Sequence, residues 1–386
     1  MRKFAIGFLV AALSAAVVGQ TQVANNAAEL AGKIIMLADG GTSRAVTNLF
    51  TFDRDPSAPF AVSSGSAVVT NLDADTVDGS HASAFAVLAD NETVSGTWTF
   101  LALPSDLLNT TCDGRLTLTT GTAVTVSDVT GATTIYFTPY KGNRCALYDG
   151  ASWDLFAFTE RSLALGTLTS GLNYDVFLYD NSGTLTLELT AWTNDTTRAT
   201  ALTLQNGVYV RTGATTRRYL GTLRTTSTTA TEDSYAKRFV WNMNHRVPRP
   251  MRVLESTDTW AYTTATWRQA NNSTANQLAF VVGLDEQPIS VTIMASSSNT
   301  NASIARRTAV GLDSTSAAAT GAVIGVVNNA ATDKATVIAT LVTFPGVGYH
   351  FAAWLEYSTA TGTTTWHGDD GAPTVNQSGI HGWIEG

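Results

Sequence analysis

Ile289-Ser290-Val291-Thr292-Ile293 alternates apolar and hydroxylated side chains, so in an extended chain every second side chain falls on the same face. Its β-branched residues fit a pleated surface with one side buried and one side wet. Four further segments carry similar patterns: Leu278-Ala279-Phe280-Val281-Val282, Ala322-Val323-Ile324-Gly325-Val326-Val327, Ala335-Thr336-Val337-Ile338-Ala339-Thr340-Leu341 and Tyr349-His350-Phe351-Ala352-Ala353-Trp354-Leu355. Strand candidates at this density predict a β-sandwich of jelly-roll type over residues 248–386. Pro248-Arg249-Pro250 marks its start, because each proline fixes φ and holds its predecessor in extended geometry.

Upstream the pattern persists in Arg115-Leu116-Thr117-Leu118-Thr119, Thr134-Ile135-Tyr136-Phe137, Tyr174-Asp175-Val176-Phe177-Leu178-Tyr179 and Thr184-Leu185-Thr186-Leu187-Glu188-Leu189. Asp149-Gly150, Asp180-Asn181-Ser182-Gly183 and Gln205-Asn206-Gly207 supply hairpin turns. The chain therefore reads as all-β and elongated, with small β-modules at 104–160 and 161–247, an extended linker at 61–103 and an attachment segment at 21–60. Within that segment Ala24 to Leu37 has helical spacing and is ended by Asp39-Gly40-Gly41.

Residues 1–20 carry a charged start, Met1-Arg2-Lys3, and an apolar run from Phe4 to Val18. The run is shorter than the roughly 20 residues that span a bilayer, so no stable membrane span is expected. It reads either as a secretory leader or as an apolar anchor buried in an assembly. Charged residues make up only 14% of the chain and hydrophobic ones 44%, which argues for a folded, neutral, hydroxyl-rich surface. The net charge of −8 argues against nucleic acid as a partner. Cys112 and Cys145 are the only cysteines, and two unpaired thiols with no dependence on oxidation are expected, since the sequence does not fix their Cα separation.

Three segments resemble phage fibre and appendage proteins. Asn71-Leu72-Asp73-Ala74-Asp75-Thr76-Val77-Asp78-Gly79-Ser80-His81-Ala82-Ser83-Ala84-Phe85 is similar to an element recurrent in tail fibres. The stretch from Cys112-Asp113-Gly114-Arg115 through Thr133-Thr134-Ile135-Tyr136-Phe137-Thr138-Pro139-Tyr140-Lys141-Gly142-Asn143 to Tyr148-Asp149-Gly150 and Trp153 resembles a β-module of phage structural proteins. Gly346-Val347-Gly348-Tyr349-His350, Trp354-Leu355-Glu356-Tyr357 and the ending Ser378 to Gly386 resemble distal jelly-roll domains of such fibres. The resemblance implies a homotrimer in the virion, on tail or head, joined to other virion proteins through its N-terminus and binding a host-surface glycan or envelope receptor without chemistry. Trimerisation also has a physical rationale, because symmetry mates would cover exposed sheet edges and apolar faces, and strands around residues 61–100 are too short to stand alone. The alternatives are a secreted carbohydrate-binding or adhesive surface protein and a polysaccharide-depolymerising spike.

Candidates for chemistry are few. Asp73, Asp75 and Asp78 before Gly79 suggest a calcium loop, but Ala84 stands where its bidentate glutamate belongs, so a tight turn is expected. The five histidines, at 81, 245, 350, 367 and 381, fit neither a zinc spacing nor a nucleophile elbow. No enzyme, cofactor or metal is expected. Arg211, Arg217, Arg218, Arg224, Lys237, Arg238, Arg246, Arg249 and Arg252 concentrate basic charge, with pairing to acids such as Glu232, Asp233 and Glu255 across subunits expected over contact with an acidic polymer. Trp366, in a Gly- and Thr-rich stretch beside His367, Asp369 and Asp370, is the leading candidate for an exposed ring stacking on a sugar, with Tyr349 and Tyr357 as further aromatic contacts.

Overall fold

The computed structural model describes residues 109–386, together with the strand residues Thr76–Val77 and Ser80–His81. The expected anchor, the helix from Ala24 to Leu37 and most of the linker lie outside the described residues. Strands β1 (Thr76–Val77) and β2 (Ser80–His81) pair antiparallel, and the turn expected at Asp73 to Gly79 otherwise lies outside the described residues. The chain divides into two compact units, residues 1–95 and 96–386. The second unit is all-β.

Within that unit β3 (Gly114–Thr117), β5 (Thr134–Pro139) and β8 (Arg161–Ala164) form one small sheet, and β6 (Arg144–Tyr148) and β7 (Trp153–Ala157) form a hairpin. These pack on a larger sheet of β9 (Asn173–Asn181), β10 (Thr184–Ala191), β11 (Leu202–Gln205), β12 (Val208–Arg211), β13 (Ala214–Arg224) and β16 (Val240–Asn242). One apolar core gathers Leu116, Ile135, Phe137 and Leu147 with Val176, Leu178, Leu185, Leu187, Leu220 and Leu223. Residues from both sides of position 160 thus close a single sandwich, and the thin strands of 104–160 find their apolar cover in 161–247.

The turns follow local chemistry. Ser182-Gly183 and Asn206-Gly207 both take positive φ, as a two-residue hairpin turn requires. Asp149 accepts hydrogen bonds from the Ala151 and Ser152 amides, both at 2.7 Å, which lowers its carboxyl pKa. Gly221 sits at a bulge of β13, where a Cβ would run into the Trp241 carbonyl oxygen.

The second sandwich has two sheets. In one, β17 (Pro248–Leu254) pairs with β27 (Gly379–Glu385) and β18 (Thr259–Ala261) with β26 (Thr364–His367). Both β26 and β27 flank β21 (Ile289–Asn299), which pairs on its other side with β24 (Ala335–Thr343). Pro248 and Pro250 are accommodated because β17 is an edge strand. The opposing sheet runs β23 (Gly325–Val327), β22 (Arg306–Leu312), β25 (Gly348–Ser358) and β20 (Gln277–Val282), with β19 (Arg268–Gln269) also on β25. It continues through β15 (Lys237–Arg238) and β14 (Thr231–Asp233) to β4 (Val129–Ala132), so three short strands from before residue 248 extend the second sandwich's sheet.

The core between the two sheets holds Phe280, Ile289, Val291, Ile293, Val310, Leu341, Trp354, Trp366 and Ile380. The expected strand over 322–327 is shortened to Gly325–Val327, with Val323 joined to Thr340 by an isolated bridge.

Two expectations are corrected. Cys112 and Cys145 form a disulfide, because the two residues are directly paired across an antiparallel bridge. The basic cluster is satisfied inside the chain. Arg211 and Arg217 pair with Glu188, Arg224 with Asp195, Lys237 with Glu232, Arg238 and Arg249 with Asp233, and Arg246 with Glu286. Arg218 is buried and donates to the carbonyl oxygens of Asn109, Thr110 and Ala146. The expected acids Glu232 and Asp233 do pair, with Lys237, Arg238 and Arg249, but within the chain, while Glu188, Asp195 and Glu286 lie 23 to 40 positions from the bases they meet.

Candidate functional site

The six aromatic and polar residues singled out above do not form one site. Trp366 is fully buried in the core, so its expected exposure is overturned. Thr364 and Trp366 both turn inward from β26, and a Thr-rich run that reads as loop is in fact a strand. Tyr349 and Tyr357 lie on the outer face of β25, eight positions apart, or roughly 26 Å at ordinary strand rise. Tyr349 belongs to the junction with the first sandwich, where Arg224 stacks on its ring at 3.6 Å and its amide donates to Asp195. Tyr357 packs against Trp267 with ring centroids 5.3 Å apart, and Arg307 lies over it.

His367, Asp369 and Asp370 belong to the other sheet. His367 is buried, and burial followed by the nearby Lys334 and Arg306 charges lowers its pKa, leaving the ring neutral at neutral pH. The neutral ring donates from Nδ1 to Asp370 and accepts the Ser298 hydroxyl at Nε2, each at 3.1 Å. Asp370 also pairs with Lys334, and one oxygen of Asp369 is shielded without a partner. This arrangement pins the 368–378 excursion onto the sheet. Among the described residues no three His, Cys, Asp or Glu side chains converge to hold a metal ion.

The two ends of the second sandwich differ. At one end Gly283, Glu286, Tyr349 and Gly386 meet Arg198, Arg246, Asp195 and Arg115 of the first sandwich. At the other end, β21 having run about 35 Å at ordinary strand rise, four loops meet: 262–267, 300–305, 328–334 and 359–363. They are laced together by backbone bonds, Thr300 N–H to Thr363 O at 3.1 Å, Ser303 to Asn329 at 2.9 Å, Thr332 to Asn299 at 2.7 Å and Thr359 to Ala305 at 3.1 Å. The interior beneath them is polar. Arg306, wholly shielded, donates to Ser297 and Asn329, and Asn299 donates to Thr364 at 2.7 Å. One terminal nitrogen of Arg306 has no partner among the described residues.

The sequence points to loops at the distal end of this domain, and none of the six residues it singles out lies in these four loops: they sit on β25, on β26 and in the 368–378 excursion. Alternation fails in Ser296-Ser297-Ser298-Asn299, so the strand carrying the loops gave no apolar signal where it approaches them. A groove of about 260 Å³ in the first sandwich, lined by Glu160, Arg161, Leu163, Leu185 and Leu187, also went unforeseen. Its Glu160 is already taken up by Thr120, Thr138 and the Gly121 amide.

No protein-family model and no curated protein matches the sequence. Two solved structures are weakly similar. The insecticidal delta-endotoxin Cry8Ea1 from Bacillus thuringiensis aligns at a TM-score of 0.22 and 7% identity over 71% of this chain and 51% of its own, so this chain spans about half of that toxin. A structure of the infectious bursal disease virus Gx strain aligns at a TM-score of 0.21 and 11% identity, over 67% of this chain and 74% of its own. Scores this low carry neither fold detail nor function over to this chain.

Proposed function

We propose that the chain is a non-enzymatic attachment protein, a homotrimeric virion fibre of tail or head that holds a host-surface glycan or envelope receptor at the four loops capping its second sandwich. The observation that carries this reading is the contrast between the ends of that sandwich. One end is occupied by the first sandwich, while the other presents hydroxyl- and amide-rich loops, among them Thr300-Asn301-Ala302-Ser303, Asn328-Asn329 and Thr359-Ala360-Thr361-Gly362-Thr363. Such loops, fixed at their roots, offer hydrogen bonds of both senses to sugar hydroxyls at little ordering cost. The strand order β17/β18–β26/β27–β21–β24 against β20–β25–β22–β23 supports a jelly-roll reading of the sandwich. The apolar start of the chain favours attachment through the N-terminus, though a secreted adhesin with a cleaved leader would use the same loops.

The test is adsorption. Purified full-length protein should compete with particles for host cells, and replacing 330–333 with a Gly-Ser segment of equal length, which spares the Asn329 partner of Arg306, should abolish competition while the thermal transition persists. Unchanged competition by that variant would refute the loop assignment. Release of new reducing ends from host polysaccharide would favour a depolymerase instead.

A further inference from the structure

The face of the β17–β27–β21–β24 sheet that turns away from the core is unusual. Inward positions of β21 alternate regularly with outward ones, Ser290, Thr292, Met294, Ser296 and Ser298. The strand registers lay these out in rows. Leu254, Gly379, Met294 and Ile338 form one row, Arg252, His381, Thr292 and Thr340 the next, and Pro250, Trp383, Ser290 and Val342 the third. Leu254 is 54% exposed, Met294 43%, Ile338 53%, Val342 67% and Trp383 40%, and exposed Phe344 follows two residues after Val342. Six such side chains leave roughly 600 Å² of apolar surface, at the top of the range for the largest patch of a monomer and near the ~800 Å² that one partner gives to a standard interface. Ser290, Thr292 and Thr340 fill the gaps between them and bring the face to that size.

The charge pattern selects the occupant. No outward position of β21 or β24 is ionisable. In the middle row Arg252 is the charged side chain, its guanidinium over the Tyr235 ring at 4.0 Å, and Glu385 faces the same way beyond the third row, at the edge of the face. Where three copies converge about an axis the same side chains crowd together and like charges must be avoided, whereas a surface built for a charged partner would carry the complement. We infer that this sheet face is the surface on which a second copy of this chain docks, Ile338 and Val342 on one flank and Leu254 and Trp383 on the other forming its apolar centre. This inference rests on the reading of the chain as an assembling fibre, and it names the surface that assembles.

The experiment uses the full chain. Val342→Glu and Ile338→Glu alter exposed side chains, so the fold should persist while mass by light scattering falls from several copies to one, the association constant dropping at least about 100-fold. Val342→Thr, nearly equal in shape, should weaken association about tenfold and serves as the readout if a glutamate variant misfolds. Folded variants that all keep the parent mass would overturn the face assignment and leave the proposed assembly standing. A parent protein of single-chain mass would overturn both. Monomeric variants that still bind host cells, with lower avidity, would support the face and the distal loops as separate surfaces.

Discussion

On the first sandwich, Glu188 projects from the outward face of β10 and answers both Arg211 and Arg217, while Arg217 also stacks on Tyr179 at 4.2 Å. On the second, the outward faces of β21 and β24 carry no ionisable side chain, and half-exposed Met294, Ile338 and Val342 stand there instead. The interiors differ in the opposite sense. The first sandwich is tied by the Cys112–Cys145 disulfide, by Arg115 donating to the Ala123 carbonyl and by Arg218 donating to those of Asn109, Thr110 and Ala146. The second relies on a large apolar core containing Trp354 and Trp366. In the first sandwich the covering strands β3, β6, β7 and β8 are only four or five residues long, and covalent and polar ties inside with matched charge outside supplement its core, whereas the second leaves one face bare.

The largest effect should come from that core. Trp366→Ala removes a fully buried ring, and the cavity should cost about 3–5 kcal/mol in chemical denaturation. It should unfold the second sandwich without acting on binding as such. If the variant keeps full stability but loses host binding, the ring is a ligand contact after all and the contrast between the interiors fails.

Slightly smaller, and confined to the first sandwich, is the disulfide. Its two cysteines are 33 positions apart, and closing a loop of that length should contribute about 3–4 kcal/mol. Reduction, or the double change Cys112→Ala with Cys145→Ala, should lower the unfolding free energy by that amount and move the denaturation midpoint down accordingly. An unchanged midpoint would mean that the apolar core alone suffices and the two sandwiches are held alike.

A third effect depends on pH. Glu356 is buried in the second sandwich and accepts hydrogen bonds from the Trp260 indole at 2.6 Å, Arg268 at 2.7 Å and the Asn271 amide at 3.2 Å. Burial outweighs these donors and raises its pKa from 4.5 to about 7. A carboxyl whose folded pKa is raised gives stability that is complete below pH 4.5 and is lost as pH climbs through 7, on the order of 3 kcal/mol. Glu160 and Glu255, with lowered values, act the other way and lose their contribution as pH falls. The parent minus Glu356→Gln difference should therefore decline between pH 4.5 and 7.5. A flat difference would show that the donors, rather than burial, set the charge of Glu356.

How much of this was legible in the sequence depends on the range of the signal. Hairpins at Asp149-Gly150, Ser182-Gly183 and Asn206-Gly207 could be read because positive-φ turns are specified by adjacent residues. Strand alternation in Ile289 to Ile293 was legible for the same reason, but it vanished at Ser297 and Asn299, which point inward into a polar interior. The disulfide and the pairings of Arg211, Arg217, Arg224 and Arg246 depend on chain crossings tens of residues long, whereas Glu232 and Asp233 lie close enough to Lys237 and Arg238 to be named from the sequence. Trp366 misled because Thr and Gly around it resemble a loop, whereas Thr364 is buried through its bond from Asn299. The bare sheet face was hidden too, since Ile338 and Val342 share a strand with buried Val337, Ala339 and Leu341, and register alone assigns the sides.

The smallest expected effect tests the charged face of the first sandwich. Glu188→Ala removes both ion pairs, yet Glu188, Arg211 and Arg217 are each about a quarter to a third open to water, where such pairs contribute only about 0.2–1 kcal/mol. Arg217 keeps its stacking on Tyr179, which limits the loss further. Denaturation should therefore move by less than about 1 kcal/mol, and the mass in solution should not change. The comparison is sharpened by the paired outcome: a charge removed here alters neither stability nor assembly, while a charge added at Val342 breaks assembly and leaves stability. If Glu188→Ala dissociates the oligomer instead, the interface lies on the charged face, and the uncharged face of β21 and β24 has some other occupant.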